Sequence, residues 1–169
     1  MGMTDGHILF DADIYNKGSR PAINIPLSVT RVGRQTQNDL LRKITLEILS
    51  VLSQYEKIQN ISHLGSELSD DSKRLLEKGT AFQIMLHQEH LIIPREIQIV
   101  FFGIVWLNMY DLSTQKAYET ILNLFLSLHK NDAVRDELIK ITSIDSLPQF
   151  LIQMKQNKLI QAICKQKTL

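Results

Sequence analysis

Leu40-Leu41-Arg42-Lys43-Ile44-Thr45-Leu46-Glu47-Ile48-Leu49-Ser50-Val51-Leu52-Ser53-Gln54-Tyr55 is a run in which apolar residues return every three or four positions. Leu40, Leu41, Ile44, Ile48, Leu49, Val51, Leu52 and Tyr55 therefore fall on one wide stripe, the pattern of an amphipathic helix with a buried face. Downstream the same period continues between start and stop signals. Ser69 or Asp70 can cap a second helix, and Gly79, with Lys78 before it, reads as its end. Thr80 can cap the next, which carries Phe82, Ile84, Met85 and Leu86. Pro94 suits the first turn of a fourth, running through the apolar Val100 to Trp106 stretch. Ser113 or Thr114 opens a fifth, with Ala117, Tyr118, Ile121, Leu122, Leu124, Phe125 and Leu128 inward. Asn131 or Asp132 opens a sixth, with Val134, Leu138 and Ile139. Ser146 and Pro148 open the last, which carries Phe150, Leu151, Met154, Leu159 and Ile160. The expectation is a mainly α chain, a bundle of six or seven short helices over residues 35–169.

Upstream of Gln35 the character changes. Residues 4–34 hold Gly6, Gly18 and Gly33 and two short β-like runs, His7 to Phe10 and Ile23 to Val29. Two such strands are marginal in water. This segment reads as the edge of a sheet whose other strands lie elsewhere. It should be mobile, re-paired with another copy, or laid on the helices. The domain expectation is 1–34 as an incomplete β edge and 35–169 as an all-α domain. The opening Met1-Gly2-Met3 reads as a leader added before a fragment start.

The 169 residues are 44% hydrophobic and 22% charged, ordinary for a globular protein with a core. Lys and Arg number 19 against 18 Asp and Glu, a net charge of +1 that gives no support to a nucleic-acid or membrane-surface partner. The lysines near the end (Lys155, Lys158, Lys165, Lys167) read as solvated helix positions. The longest apolar run, Ile99 to Leu107, is far too short to span a bilayer. Cys164 is the single cysteine, so no intrachain disulfide or thiolate cluster can form. It has no evident His partner and reads as a packing residue. No GxxxxGK[ST] phosphate loop and no GxSxG elbow is present, so the chain alone cannot cradle a nucleoside triphosphate by the first or attack an ester by the second. His87 and His90 are three apart in His-Gln-Glu-His, on one helix face if helical, but no third zinc ligand is indicated. A polar helix end is the expected reading, and no metal is assigned. Asp70-Asp71 followed by Lys73-Arg74 reads as acid at a helix start with base a turn later.

The segment Gly18 to Gly33, Gly-Ser-Arg-Pro-Ala-Ile-Asn-Ile-Pro-Leu-Ser-Val-Thr-Arg-Val-Gly, carries more specific information. Together with Thr4-Asp5-Gly6-His7-Ile8 before it, it closely resembles the stretch that follows the catalytic-type core in F-type ATP synthase alpha subunits. The Arg20 to Asn24 and Ser28 to Gly33 runs are near the alpha pattern. The beta subunit has a Tyr-Pro-Ala-Val-Asp type of run instead, and the vacuolar-type B subunit lacks the Arg-Pro. The resemblance continues through His63 to Ser69 and Leu75 to Gly79 and fades after Asp111.

The resemblance implies the C-terminal part of a regulatory, non-catalytic alpha subunit, serving ATP synthesis or hydrolysis coupled to proton or sodium transport. Arg31 matches the arginine that reaches in trans to the neighbouring beta subunit's catalytic phosphate. A guanidinium suits this role, being always charged and presenting several fixed donors. Arg20 and Pro21 match positions on the adenine side of alpha's own non-catalytic nucleotide site. Tyr15 stands where the family often has an aromatic that stacks near a base. Gln88 matches one of two glutamines near that adenine, and His90 replaces the second. Arg34 stands where the family usually has a small residue. ATP or ADP with magnesium is implied for a full subunit, and none for this fragment, which is expected to have no catalytic activity alone. Implied partners are the beta subunit, other alpha subunits and the central-stalk gamma subunit, without nucleic acid or membrane insertion. The implied location is peripheral, on the cytoplasmic face of a membrane. The rival expectation is a stand-alone helical interaction module, which would have no use for the Arg20 and Arg31 runs.

Overall fold

A computed structural model of the protein describes residues 6–25, 27–30, 33, 35–62, 69–89, 92–109, 114–130 and 132–165. The chain is mainly helical, with one two-stranded β element ahead of the long helices. Strand β1 (Gly6–His7) pairs antiparallel with β2 (Val29–Thr30), in the register Gly6↔Thr30 and His7↔Val29. Between them lie a short helix α1 (Ala12–Asn16) and an isolated bridge, Phe10↔Ile23. Seven helices follow among the described residues: α2 (Asp39–Ser62), α3 (Asp70–Leu86), α4 (Arg95–Trp106), α5 (Thr114–Lys130), α6 (Asp132–Thr142), α7 (Leu147–Gln156) and α8 (Lys158–Lys165).

Helix α4 is the centre. Its sequence Arg-Glu-Ile-Gln-Ile-Val-Phe-Phe-Gly-Ile-Val-Trp is apolar all round after the first turn, so no face of it can be left in water. Ile97 and every residue from Ile99 to Val105 are buried. Helices α2, α3, α5, α6 and α7 all pack against it. Phe82 of α3 stacks on Phe102 with ring centroids 5.9 Å apart, and Phe102 stacks on Trp106 at 5.3 Å. Stacked aromatic pairs add about 0.5–1.5 kcal/mol each beyond the area they bury. Gly103 is where α7 comes closest, since a Cβ there would lie 2.8 Å from Met154 Cε and 3.0 Å from Phe150 Cε1. Amphipathic α2 lays Leu40, Ile44, Val51 and Tyr55 against this centre, the buried face anticipated from its spacing.

Two helix boundaries differ from expectation. Gly79 does not end a helix, and Thr80 does not start one: α3 runs unbroken from Asp70 to Leu86. Gly79 is there because α2 passes close by, and a Cβ would come within 2.7 Å of Tyr55 Cβ. A glycine required for close approach looks, in sequence, like a glycine that caps. Conversely, the last expected helix is two. Asn157 takes an extended conformation, accepts from the Ile160 amide at 3.0 Å as a cap for α8, and donates to Glu137 Oε1 at 2.6 Å. Apolar spacing runs through the break, so only the capping chemistry marks it. The expected start of α3 is as read: Ser69 Oγ accepts from the Ser72 amide at 3.3 Å. The Asp70–Lys73 pair, 3.2 Å apart and exposed, is a local helix contact of small energetic weight. The alternatives Ser113 and Asn131 lie outside the described residues.

Gly79→Ala should reverse the usual effect of such a change. In an open helix interior it would stabilise by about 1 kcal/mol. Here overpacking against Tyr55, typically ~1–3 kcal/mol, should outweigh that gain. Urea unfolding should show a net loss for Gly79→Ala alone and a gain for the same change in a Tyr55→Gly background, which removes the facing Cβ as well as the ring.

Candidate functional site

The residues singled out in the N-terminal segment are held by a local hydrogen-bond clasp. Asp11 caps α1, its Oδ1 accepting from the Asp13 amide at 2.9 Å and the Ile14 amide at 3.4 Å. Its other oxygen accepts from Asn24 Nδ2 at 3.0 Å, and its own amide donates to the Ala22 carbonyl at 2.9 Å. The Asn24 amide donates back to the Leu9 carbonyl at 2.8 Å, and Asn24 Oδ1 accepts from the Leu27 amide at 3.2 Å. Ser28 Oγ donates to the Asn24 carbonyl at 2.6 Å and accepts from the Leu9 amide at 3.1 Å. These bonds tie the strand ends to α1. They hold the Asp11 carboxyl below the usual carboxylate range, the Asn24 side chain contributing most and the Asp13 and Ile14 amides next. Gly18, at φ +87°, turns the chain out of α1, a conformation that favours glycine.

The turn delivers Arg20 to two neighbours. Its guanidinium carbon lies 3.6 Å from the centre of the Tyr15 ring, and Nη1 donates to the carbonyls of Tyr15 at 2.8 Å and Ser19 at 2.9 Å. Its backbone meets the end of α3. The Arg20 amide donates to His87 Nδ1 at 3.3 Å, and the Gln88 amide donates to the Arg20 carbonyl at 2.9 Å. The Arg20–Pro21 peptide is cis, and the next residue, Ala22, is buried. Gln88 Oε1 accepts from the Ile93 amide at 3.3 Å, which turns the chain towards α4. Tyr15, Arg20, Pro21 and Gln88 therefore form one cluster, on which the segment is laid against the helices. Tyr15 is half exposed, and Pro21 is exposed. The arrangement offers a cation seated over an aromatic ring, next to an exposed proline and a half-buried amide.

Arg31, Arg34 and His90 lie outside the described residues. His87 closes α3 as its C-cap in an extended conformation, so His87, Gln88 and Glu89 do not continue the helix. Its Nε2 faces Glu89 Oε2 at 3.4 Å. No group of three or more His, Cys, Asp or Glu suited to a metal occurs among the described residues. Cys164 is buried in α8, and burial pushes its thiol up to about 11, so the thiolate is scarce near neutrality. Asp11, Asn24 and the docking role of His87 escaped the sequence reading. Asp11 ahead of Ala12-Asp13 carried a cap signal that the surrounding β-like runs obscured.

A helical bundle built round one apolar helix, with a short β-containing segment docked at the end of α3, is the class of domain these observations define. Residues 37–152 match the family described as "ATP synthase alpha/beta chain, C terminal domain". The chain belongs to that family. Similar curated proteins include the ATP synthase subunit alpha of Ehrlichia chaffeensis, 31% identical over 106 residues, which are 61% of this chain and 21% of that protein. The ATP synthase subunit alpha of Anaplasma marginale is 34% identical over 106 residues, with the same coverage of both chains. That of Neorickettsia sennetsu is 35% identical over 101 residues, 59% of this chain and 20% of that protein. The match thus spans about a fifth of the length of these relatives. No helix among the described residues is long and apolar enough to cross a membrane.

Asp11 yields a prediction with a definite sign. Its folded pKa is depressed, so its contribution is present above the ordinary carboxylate pKa and is lost as pH falls through the lower folded value. Acid below about pH 4 should release α1 and the Asn24 turn while α2–α8 stay folded. Asp11→Ala should do the same at neutral pH. Amide and carboxyl NMR shifts across a pH series would record both. A single transition shared by α1 and α4 in both samples would contradict the local clasp.

Proposed function

We propose that this chain supplies the C-terminal part of the non-catalytic alpha subunit of an F-type ATP synthase. In this reading residues 1–34 are the edge of a nucleotide-binding domain, and 35–169 are the helical domain that packs around the central stalk. Beta subunits, other alpha subunits and the gamma subunit are the partners, and the chemistry served is ATP synthesis or hydrolysis coupled to proton or sodium transport. The assembly would be peripheral, on the cytoplasmic face of its membrane. The observation that carries the reading is the 31–35% identity to ATP synthase alpha subunits over more than a hundred residues. It is supported by the Arg-Pro-Ala-Ile-Asn and Ser-Val-Thr-Arg-Val-Gly runs.

Two roles follow within it. Arg31 is the arginine offered in trans to the beta catalytic phosphate, where such a group is worth ~10³–10⁵ in rate in phosphoryl transfer. Tyr15, Arg20, Pro21 and Gln88 line the adenine side of alpha's own site, which takes ATP or ADP with magnesium without turning it over. What supports the second role is their convergence in one cluster, although the Arg20 and His87 partners are 67 residues apart in sequence. Arg20 Nη1 donates to the Tyr15 and Ser19 carbonyls and the guanidinium lies over the Tyr15 ring, so its part there is to brace that ring.

In an assembled enzyme carrying this subunit, Arg31→Lys should lower multi-site kcat by on the order of 10²-fold or more, since lysine keeps the charge but loses the planar donor set. Nucleotide affinity at the beta site should change far less, the mark of a contact made in the transition state. Arg34→Ala, measured alongside, should leave kcat nearly unchanged. Steady-state hydrolysis and nucleotide titration of both variants give the answer. A large loss confined to Arg34→Ala would move the role to that residue, and small equal effects would favour an interaction module without ATPase function.

A further inference from the structure

The His87 side chain receives the N-terminal segment through a hydrogen bond, and it does so in a way that depends on its proton. The ring nitrogen facing Arg20 is Nδ1, 3.3 Å from a backbone amide. An amide can only donate, so Nδ1 must be the bare, accepting nitrogen and Nε2 must carry the hydrogen. Nε2 faces Glu89 Oε2 at 3.4 Å, which suits that tautomer. In the imidazolium both nitrogens carry hydrogen, and Nδ1–H would then point at the Arg20 N–H. The bond is lost and two donors are set against each other, while attraction to Glu89 grows. The second link, from the Gln88 amide to the Arg20 carbonyl, is backbone to backbone and does not titrate.

From these contacts we infer that His87 is a protonation-sensitive latch, docking residues 19–22 on the bundle when neutral and loosening them when charged. Among the described residues, the ionisable groups near it are these. Glu89 lies on its far nitrogen. The Arg20 guanidinium is turned away onto the Tyr15 ring and the Tyr15 and Ser19 carbonyls. Across the adjoining cleft, α5 presents Tyr118 and Glu119, and Glu119 is paired with Lys116 at 3.5 Å. The ring gains its second proton only as pH falls, so the latch opens towards acid. Histidine is the residue type that ordinarily makes this change between pH ~5 and 8.

The test uses the whole 169-residue chain. Ring ¹⁵N shifts of His87 report its tautomer and titration, and amide exchange, corrected for intrinsic rate, reports the Arg20 and Gln88 links. The expected result is the Nε2–H tautomer at neutral pH, with Arg20 amide protection falling about 2–10-fold as His87 charges, the weight of one hydrogen bond. His87→Asn, whose Oδ1 can stand in for Nδ1, should keep the protection and abolish its pH dependence. His87→Ala should lower it at every pH. Proton on Nδ1 at neutral pH, or Arg20 protection that ignores the titration of His87, would overturn the inference even if the alanine variant failed to fold.

Discussion

Helix α4 has no face to give to water. Ile97 and Ile99 through Val105 are all buried, so the other helices are arranged by the need to surround it. Its twelve residues extend roughly 18 Å at 1.5 Å per residue, enough to be wrapped by α2, α3, α5, α6 and α7. Burying a side chain of this kind is worth about 1.5–3 kcal/mol, and no other element concentrates so many. The Phe82–Phe102–Trp106 stack joins α3 to this centre, and Gly103 lets α7 approach it.

The position of α3 then decides where the candidate site can form. Its C-terminal end presents His87 and Gln88, and the turn to α4 is tied down by Gln88 Oε1 on the Ile93 amide. The N-terminal segment brings little apolar surface to this contact. Among its described residues Ala22 is the buried one, while Ile8 and Phe10 are 66% and 70% exposed. Directional hydrogen bonds at Arg20 and the Asp11–Asn24 clasp therefore do what packing does elsewhere. Ile8, Leu9, Phe10, Leu27 and Val29 are exposed apolar surface on this segment.

Amphipathic spacing made most of the helices legible, because most residues that recur at three and four are those the bundle buries. Leu40, Ile44 and Val51 are an instance. Tyr118 and Leu122, expected inward on α5, are instead exposed at the edge of its apolar stripe. Spacing failed where backbone geometry, not burial, decides. Gly79 looks like a stop and is a point of close approach to Tyr55, and Asn157 divides α7 from α8 inside an unbroken apolar pattern. Helix α1 was hidden for a related reason, since a five-residue helix held by one aspartate has no room to show a period. The site was legible only through resemblance. Nothing local in Tyr15, Arg20 or Gln88 says that they meet, because their meeting depends on where α3 ends. The docking of Arg20 on His87 is a backbone-to-ring contact, which composition and spacing do not encode.

Native-state hydrogen exchange on the intact chain tests most directly whether α4 organises a single cooperative bundle with the segment merely docked upon it. Amides of α3, α4 and α5 should exchange only through global unfolding, with one common free energy and one denaturant dependence. Those of residues 6–30 should open at a distinctly lower free energy, independent of the bundle. If α4 amides exchanged through smaller, separate openings, or if residues 6–30 opened only together with α4, the account would be wrong.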